Sequence, residues 1–146
     1  MGTRADFYVG KGETATWIGS IAWDGYRDGI DTEVLQAKSE AEFRAAVMRF
    51  FVERDDVTLP TRGWPWPWNT SQLTDCSYWF FDGKVWDAHG YPQHRYTPAE
   101  EPLPDSYDDG WYARHEPVEF PKMTVDRIAL DGRSGLIFIA MPRDEP

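Results

Sequence analysis

The sequence predicts one α+β domain over residues 1–146, in which an antiparallel sheet of β-hairpins carries one main helix on one face. Three observations predict this fold. Short runs of aromatic and β-branched residues flank glycine-containing turns, which is the pattern of hairpins. The stretch 39–53 instead carries apolar residues at helical spacing. A chain of 146 residues, of which 41% are hydrophobic, is long enough to bury one core.

The first strands are predicted at residues 3–9 and 14–23, which are rich in aromatic and β-branched side chains. Between them, Gly10-Lys11-Gly12 supplies the positive φ angles of a tight turn. The Asp-Gly pairs at 24–25 and 28–29 lie close together, so we expect a compact loop after the second strand. The fold therefore opens with a β-hairpin.

The main helix is predicted to begin at Ser39. Ser39 and Glu42 have the spacing of a capping box, in which the hydroxyl accepts from the Glu42 amide and the Glu42 side chain reaches back. The apolar side chains that follow lie on one stripe: Phe43, Val47, Phe50 and Phe51. A shorter helix, capped by Thr32, is predicted over residues 31–37. The stripe indicates that the main helix packs on a sheet.

Two more hairpins are predicted in the second half of the chain. Residues 76–89 form the first, because strand-like runs lie on both sides of the dipeptide Asp82-Gly83. The runs 124–130 and 136–141 form the other, around a glycine-bearing turn at 131–135. The last of these runs is apolar without alternation, so we expect it at the centre of the sheet with both faces covered.

The charge and hydropathy of the chain exclude some classes of partner. The formal net charge is −10, and residues 55–122 hold twelve acidic against five basic residues. This balance opposes direct nucleic-acid binding, which depends on Lys and Arg at the phosphates. No apolar run reaches the length of a membrane helix, and the first residues do not form a secretory signal. We therefore expect a cytoplasmic protein with no membrane or nucleic-acid contact.

Nucleophilic catalysis would have to use Cys76, the only cysteine in the chain. No basic cluster or helix start lies beside it in the sequence to lower the pKa of its thiol. The candidate bases and orienting acids are His89, His94, His115, Asp75 and Asp87. Because free cysteine is among the most buried residue types, we interpret Cys76 as a structural strand residue. The prediction is that the chain has no catalytic residue.

Metal binding and cofactor binding are not predicted. His89 and His94 are five residues apart, which matches neither the helical pair of zinc proteases nor a cysteine-rich zinc pattern. The run 105–110 lacks the alternate acids and the closing Glu of a calcium loop. Glycine motifs for phosphates are absent from the sequence. The expectation is no metal and no cofactor.

Three indoles alternate with proline in the Trp-Pro segment, which we define as residues 63–69. Trp64, Trp66 and Trp68 form either a platform for a ligand or a cover that closes the core, and we favour the cover. Proline imposes an extended course, so at least one of the three rings is expected near the surface. The platform interpretation leads to an alternative function, a small enzyme or ligand-binding protein with a Trp-lined pocket and His89 or His94 as acid or base.

The loop at about 91–121 is rich in proline, and its middle is the second unusual feature. We define residues 97–112 as the acidic segment, which contains five acids and no Lys or Arg. Aromatic residues among acids are typical of an interface that anchors on a basic partner. The predicted partner-binding residues are Glu100, Glu101, Asp105, Tyr107, Asp108, Asp109 and Trp111. The competing interpretation is a solvated loop whose aromatic rings tuck back onto the body.

A resemblance adds a biological setting. The runs 3–9, 17–26 and 63–68, with Thr74-Asp75, resemble small uncharacterised proteins of bacteria and their phages or mobile elements, a group of unknown function. The likeness covers about the first 90 residues and carries over no catalytic residue. It implies a setting in which small acidic proteins occupy the nucleic-acid site of a host defence complex. The function expected from the sequence is therefore a non-enzymatic acidic module that binds a basic protein surface, as such an inhibitor does.

Overall fold

Six strands form the central sheet of the computed structural model, which describes residues 2–90, 94–129 and 137–142, with side chains to residue 125. The strand order in this sheet is β3-β2-β1-β4-β5-β6. The strands are β1 (Ala5–Val9), β2 (Thr16–Ile21), β3 (Val57–Thr58), β4 (Cys76–Phe81), β5 (Lys84–His89) and β6 (Thr97–Pro98). The helices are α1 (Thr32–Leu35), α2 (Glu40–Val52) and α3 (Asp109–Arg114). The predicted α+β class is confirmed.

One pairing departs from the predicted antiparallel sheet. β1 and β4 lie side by side and run parallel, whereas the other pairs of this sheet are antiparallel. After the hairpin β1–β2, the chain passes through α1, α2 and β3. It then returns as β4 beside β1 and runs in the same direction. A crossover of this kind is what joins parallel neighbours. The sheet therefore consists of two hairpins joined at a parallel seam.

Alternation along the strands divides the sheet into two buried faces. On one face, Phe7 of β1 and Phe80 of β4 lie in the same core as α1 and α2. On the other face, Tyr8 and Trp79 stack with their ring centroids 4.2 Å apart, and Trp64 of the Trp-Pro segment belongs to their cluster. The sheet is thus the middle layer between the helices and a tryptophan-rich cover.

The main helix α2 begins where the sequence predicts. Ser39 is its N-cap, and the hydroxyl accepts from the Glu42 amide at 3.1 Å. The Glu42 carboxylate accepts from the amide of Lys38 at 2.7 Å, whereas in a capping box it would accept from the amide of Ser39. The predicted cap of the short helix is wrong, because α1 is preceded by Asp31 and Thr32 is its first helical residue. The predicted apolar stripe is buried: Phe43, Val47, Phe50 and Phe51.

The turns explain how the hairpins close. Asp82 and Gly83 both have positive φ, at 53° and 75°, which is the two-residue turn that fits the twist of antiparallel strands. In β2, Gly19 has a φ of 153°, and a Cβ there would lie 2.4 Å from the ring of Phe51. Glycine at this position therefore allows α2 to approach the sheet closely.

The last hairpin is a sheet of its own. β7 (Met123–Ala129) pairs with β8 (Ile137–Pro142), and these two strands form a separate two-stranded sheet. The prediction that the last strand is central is therefore wrong, because an unbroken apolar run does not by itself identify a central strand. The turn predicted at 131–135 lies outside the described residues.

Candidate functional site

The acidic segment runs from β6 to α3 and is tied to the body at its start. The amide of Ala99 donates to the carbonyl of Val85 at 2.9 Å, next to the short pairing of β6 with β5. At its end, Asp108 caps α3, because its carboxylate accepts from the Trp111 amide at 2.9 Å. The backbone between these points is irregular, as its prolines predict.

Asp108 caps α3, and the other four carboxylates of the acidic segment divide into two groups. Glu100 pairs with Lys38 at 2.9 Å, and Glu101 pairs with His115 at 2.8 Å. The hydrogen bond from Lys38 lowers the pKa of Glu100 below its ordinary value. Asp105 and Asp109 are exposed, and within the described ranges neither forms an ion pair. The charges of this segment are thus only partly compensated.

The aromatic residues of the acidic segment mostly face inwards. Trp111 is 5% exposed and stacks on His115, with the ring centroids 4.3 Å apart. Tyr107 is half-buried and meets Trp111 edge-on at 4.7 Å. Because α3 turns the ring of Trp111 into the molecule, this side chain packs the segment and is not a surface anchor. The exposed members of the predicted set are Glu100, Asp105, Asp108 and Asp109.

A cleft of about 480 Å³ lies beside the acidic segment, and we call it the Lys11 cleft. Its aromatic side consists of Phe81, Trp86 and Tyr96. Lys11 lies on this side, with its ammonium 5.5 Å from the centroid of the Phe81 ring and 2.8 Å from a carboxylate oxygen of Glu116. The remaining lining residues are Asp82, Pro98, Glu101, Arg114 and His115.

The Trp-Pro segment closes the second face of the sheet. The rings of Trp64 and Trp66 are 1% and 9% exposed. Every indole N–H of the segment has an acceptor inside the molecule: Trp64 donates to the Trp68 carbonyl, and Trp66 and Trp68 donate to Asp6 and Thr74. Only the ring of Trp68 is half-buried, with the guanidinium of Arg4 5.5 Å from its centroid. This geometry fits the interpretation as a cover.

Asp6 is the polar centre beneath this cover. The carboxylate is fully buried and accepts from Ser20 and Ser71 at 2.5 Å each, and from the Trp66 indole at 2.7 Å. Since the Ser71 hydroxyl donates to Asp6, the phenol of Tyr8, 2.6 Å from it, is the donor of that bond. Burial raises the pKa of Asp6, and the donors around it act against the shift. The network stabilises the packing of the segment on β1.

The fold brings three of the candidate catalytic residues together. Cys76 and His89 are cross-strand partners, with Sγ and Nδ1 3.7 Å apart. On the other side of the imidazole, Nε2 lies 3.5 Å from Oδ1 of Asp87. This is the order of nucleophile, base and orienting acid. Among the predicted bases, His94 and His115 bond elsewhere, to the Gln72 carbonyl and to Glu101.

The environment of Cys76 opposes a catalytic role. The side chain is fully buried, and burial together with the charges of Asp87 and Asp75 raises the pKa of the thiol. A thiolate is the reactive form, so the shift lowers reactivity. Burial also lowers the pKa of His89 below its ordinary value. The arrangement is therefore a packed array in which the sulfur has no contact with solvent.

Arg27 completes this array, and sequence reasoning missed it. Its guanidinium donates to the Asp87 carboxylate and to the carbonyls of Glu101 and Pro98, the latter at 3.0 Å. No local pattern predicts this contact, which links residues far apart in the chain. The pairing of Cys76 with His89, in contrast, follows from the two-residue turn at 82–83, because that turn fixes which residues lie opposite each other.

Two findings concern metals and membranes. Within residues 2–90 and 94–125, no three His, Cys, Asp or Glu side chains form a group that could hold a metal ion. The longest helix of the described chain is α2, with 13 residues, and no described helix is long and apolar enough to cross a bilayer.

Comparisons give no relative on which to base a function. Neither a protein-family model nor a curated protein nor a solved structure matches this chain at a significant level.

Proposed function

We propose that this chain is a non-enzymatic protein-binding module that engages a basic surface of its partner through the acidic segment. The observation that carries the proposal is the grouping of three exposed aspartates, Asp105, Asp108 and Asp109, none of which forms an ion pair within the described residues. Five cations whose side chains are at least 40% exposed have carboxylate partners within the chain: Arg4, Lys11, Lys38, Arg44 and Arg49. Asp105 and Asp109 are exposed, and neither has a cationic partner among the described residues, which is also true of Glu13, Glu53 and Asp55.

The other acids of the segment have roles that do not need a partner. Glu100 and Glu101 form internal pairs, and Asp108 caps α3. Asp105 has no such role, and Asp109 lies in the first turn of α3, where an acid is favourable. The like charges of Asp105, Asp108 and Asp109 repel one another. A basic partner surface would compensate this unpaired charge. Three exposed aspartates over five residues therefore form the acidic face that we propose for binding: Asp105, Asp108 and Asp109.

The class of partner follows from charge complementarity. A protein surface that binds nucleic acid is rich in Lys and Arg and is complementary to an acidic face. The net charge of −10 favours such an encounter at long range. Together with the resemblance to proteins of phages and mobile elements, this supports an inhibitor that occupies the nucleic-acid site of a host defence complex.

The alternative, an enzyme or ligand-binding protein with a Trp-lined pocket, has less support. Trp64 and Trp66 are buried and their indole N–H groups have internal acceptors. The thiol of Cys76 is buried and its pKa is raised. We therefore place the interaction at the acidic face.

The test uses paired baits in affinity capture from the native host, followed by mass spectrometry. One bait is the wild-type chain and the other carries Asp105→Asn, Asp108→Asn and Asp109→Asn. Asparagine caps a helix about as well as aspartate, so α3 is retained. A third bait with Glu13→Gln, Glu53→Gln and Asp55→Asn removes equal charge at exposed positions elsewhere.

We expect a basic protein to bind the wild-type and control baits and to be lost from the triple Asn bait. Its direct binding to the purified chain then confirms the interaction. Capture of the same proteins by all three baits would contradict the proposal, because the acidic face would then contribute nothing specific.

A further inference from the structure

The aromatic side of the Lys11 cleft has the composition of a cation-binding surface. Phe81 and Trp86 stack with their ring centroids 4.8 Å apart and their planes within 2° of each other. Tyr96 meets the two rings edge-on, at 5.1 and 6.4 Å. Burial raises the pKa of the Tyr96 phenol to about 12, so this ring carries no charge at neutral pH. Aromatic faces of this kind attract ammonium groups.

The chain places two of its own lysines on this aromatic cluster. The Lys11 ammonium lies 5.5 Å from the Phe81 centroid and 5.9 Å from the Tyr96 centroid, and it pairs with Glu116 at 2.8 Å. The Lys84 ammonium lies 5.1 Å from the Trp86 ring. The geometry around Lys11, two aromatic rings and one carboxylate, is that of an alkylammonium site.

Lys11 is fixed at its backbone, whereas its side chain is held only by exposed contacts. The neighbouring amides are fixed, because Gly10 donates to the Phe80 carbonyl at 2.8 Å and Gly12 to the Tyr96 phenol at 2.9 Å. The side chains of Lys11 and Glu116 are 43% and 59% exposed, so solvent weakens their ion pair. A competing ammonium can therefore take the position of the Lys11 head group without disturbing the fold.

The open volume beside Lys11 accepts such a competitor. About 480 Å³ lies within the usual size range of ligand sites and exceeds what one lysine side chain fills. The lining contains three carboxylates and two cations. The carboxylates are Glu116, Asp82 and Glu101, and the cations are Arg114 and Lys11. The cleft adjoins the acidic segment through Glu101, so both lie within reach of one basic partner.

We infer that the Lys11 cleft is a pocket for a lysine side chain of the partner and that Lys11 occupies it in the free protein. The identity of the occupant as a protein lysine rests on the proposed function. The affinity of the pocket for an alkylammonium group does not, because it follows from the aromatic rings and Glu116. Removing Lys11 should therefore open the pocket to a small ammonium compound.

The experiment titrates the chain with Nα-acetyl-lysine methylamide and follows the indole N–H signal of Trp86 by NMR. The signal is assigned with Trp86→Phe. We expect Lys11→Gln to bind the compound about tenfold more tightly than the wild-type chain, because an internal competitor is removed. Lys122→Gln, the same change at an exposed lysine outside the lining, should bind as the wild type does.

Two further arms test the chemistry of the site. The Nε-acetylated form of the same compound has no charge and should not shift the signal. In the Lys11→Gln background, Glu116→Gln should weaken binding several-fold, and since Glu116 is exposed this variant keeps its fold. Equal binding by Lys11→Gln and wild type, or equal binding of the neutral compound, would overturn the inference.

The two proposals fail in different ways. If the triple Asn bait captures the same partner as the wild type while the ammonium compound binds Lys11→Gln, the proposed function fails and the pocket stands. If capture depends on the acidic face and the compound binds neither the wild-type chain nor Lys11→Gln, the pocket alone fails.

Discussion

Trp66 donates its indole N–H to Oδ1 of Asp6 at 2.7 Å, and this bond joins the Trp-Pro segment to the first strand of the sheet. Both groups are buried. A buried carboxylate is stable only when donors surround it, and Trp66 supplies one of them. The Trp-Pro segment thus supplies a donor to a fully buried acid of the first strand.

Replacing Trp66 with Phe tests this relationship. The substitution keeps an aromatic ring and removes the donor, so we expect a loss of about 1–3 kcal/mol in the free energy of unfolding. Urea titration measures it. Trp68→Phe is the control, because its bond to Thr74 lies at a half-buried ring and should contribute less. Equal stability of Trp66→Phe and wild type would show that Asp6 does not need this donor.

The sequence predicted the elements whose signals are local. The Ser39 cap and the Asp82-Gly83 turn each depend on neighbouring residues, and both are found. The parallel seam between β1 and β4 was missed, since it pairs strands that are about 70 residues apart and no short pattern carries that information. The burial of Asp6 was missed for the same reason, because its donors Ser20, Trp66 and Ser71 lie far from it in the chain.

The candidate site was predictable in part. The turn at 82–83 fixes the register that sets Cys76 opposite His89, and counting back from it would have selected His89 among the three histidines. Arg27 has no such signal. The burial of Trp111 was missed because the prolines around it made a helix improbable, so α3 was not expected. The spacing of Asp108 and Trp111 is nevertheless that of a helix cap and the amide it bonds.

Packing of α2 on the sheet predicts a large effect at Phe50. Its side chain is 6% exposed and its ring lies 6.3 Å from the ring of Phe7. Phe50→Ala should lower the free energy of unfolding by about 3–5 kcal/mol, as large core truncations do. Met48→Ala on the same helix should change it by less than about 0.5 kcal/mol, because Met48 is 43% exposed. Wild-type stability in Phe50→Ala would place the buried face of α2 elsewhere.

Burial of Cys76 predicts an unreactive thiol. Its pKa is raised, and the side chain is out of contact with solvent. A thiol reagent should therefore label the native protein only as fast as the chain opens, and urea should accelerate labelling steeply. Mass spectrometry follows the modification over time. Rapid labelling in native buffer, at the rate of a free thiolate, would contradict the structural role and revive the array with His89 and Asp87 as a catalytic site.

His89 predicts a dependence of stability on pH. Burial lowers the pKa of His89 in the folded protein below its ordinary value of 6.5. The unfolded chain then binds a proton more readily than the folded chain, so stability is present above that value and is lost as the pH falls towards the folded pKa. His94 shifts in the same direction.

The comparison with His89→Gln isolates this contribution. Urea unfolding at about pH 8 and pH 5 should show a smaller loss of stability on acidification in the variant than in the wild type. Asp87, whose pKa burial raises, contributes the opposite slope, and its interaction with His89 is removed in the variant together with the imidazole. Parallel pH profiles for the two proteins would mean that His89 carries its proton as readily in the fold as in water.

The most direct measurement of the proposed function is the association rate of the captured basic partner with the purified chain over a series of salt concentrations. Charges at the edge of an interface act mainly on this rate and on its salt dependence. We predict that Asp105→Asn, Asp108→Asn and Asp109→Asn together slow association and flatten its salt dependence, with little change in unfolding free energy, while the Glu13, Glu53 and Asp55 control behaves as the wild type. An unchanged association rate in the triple variant at every salt concentration would contradict the acidic face as the binding surface.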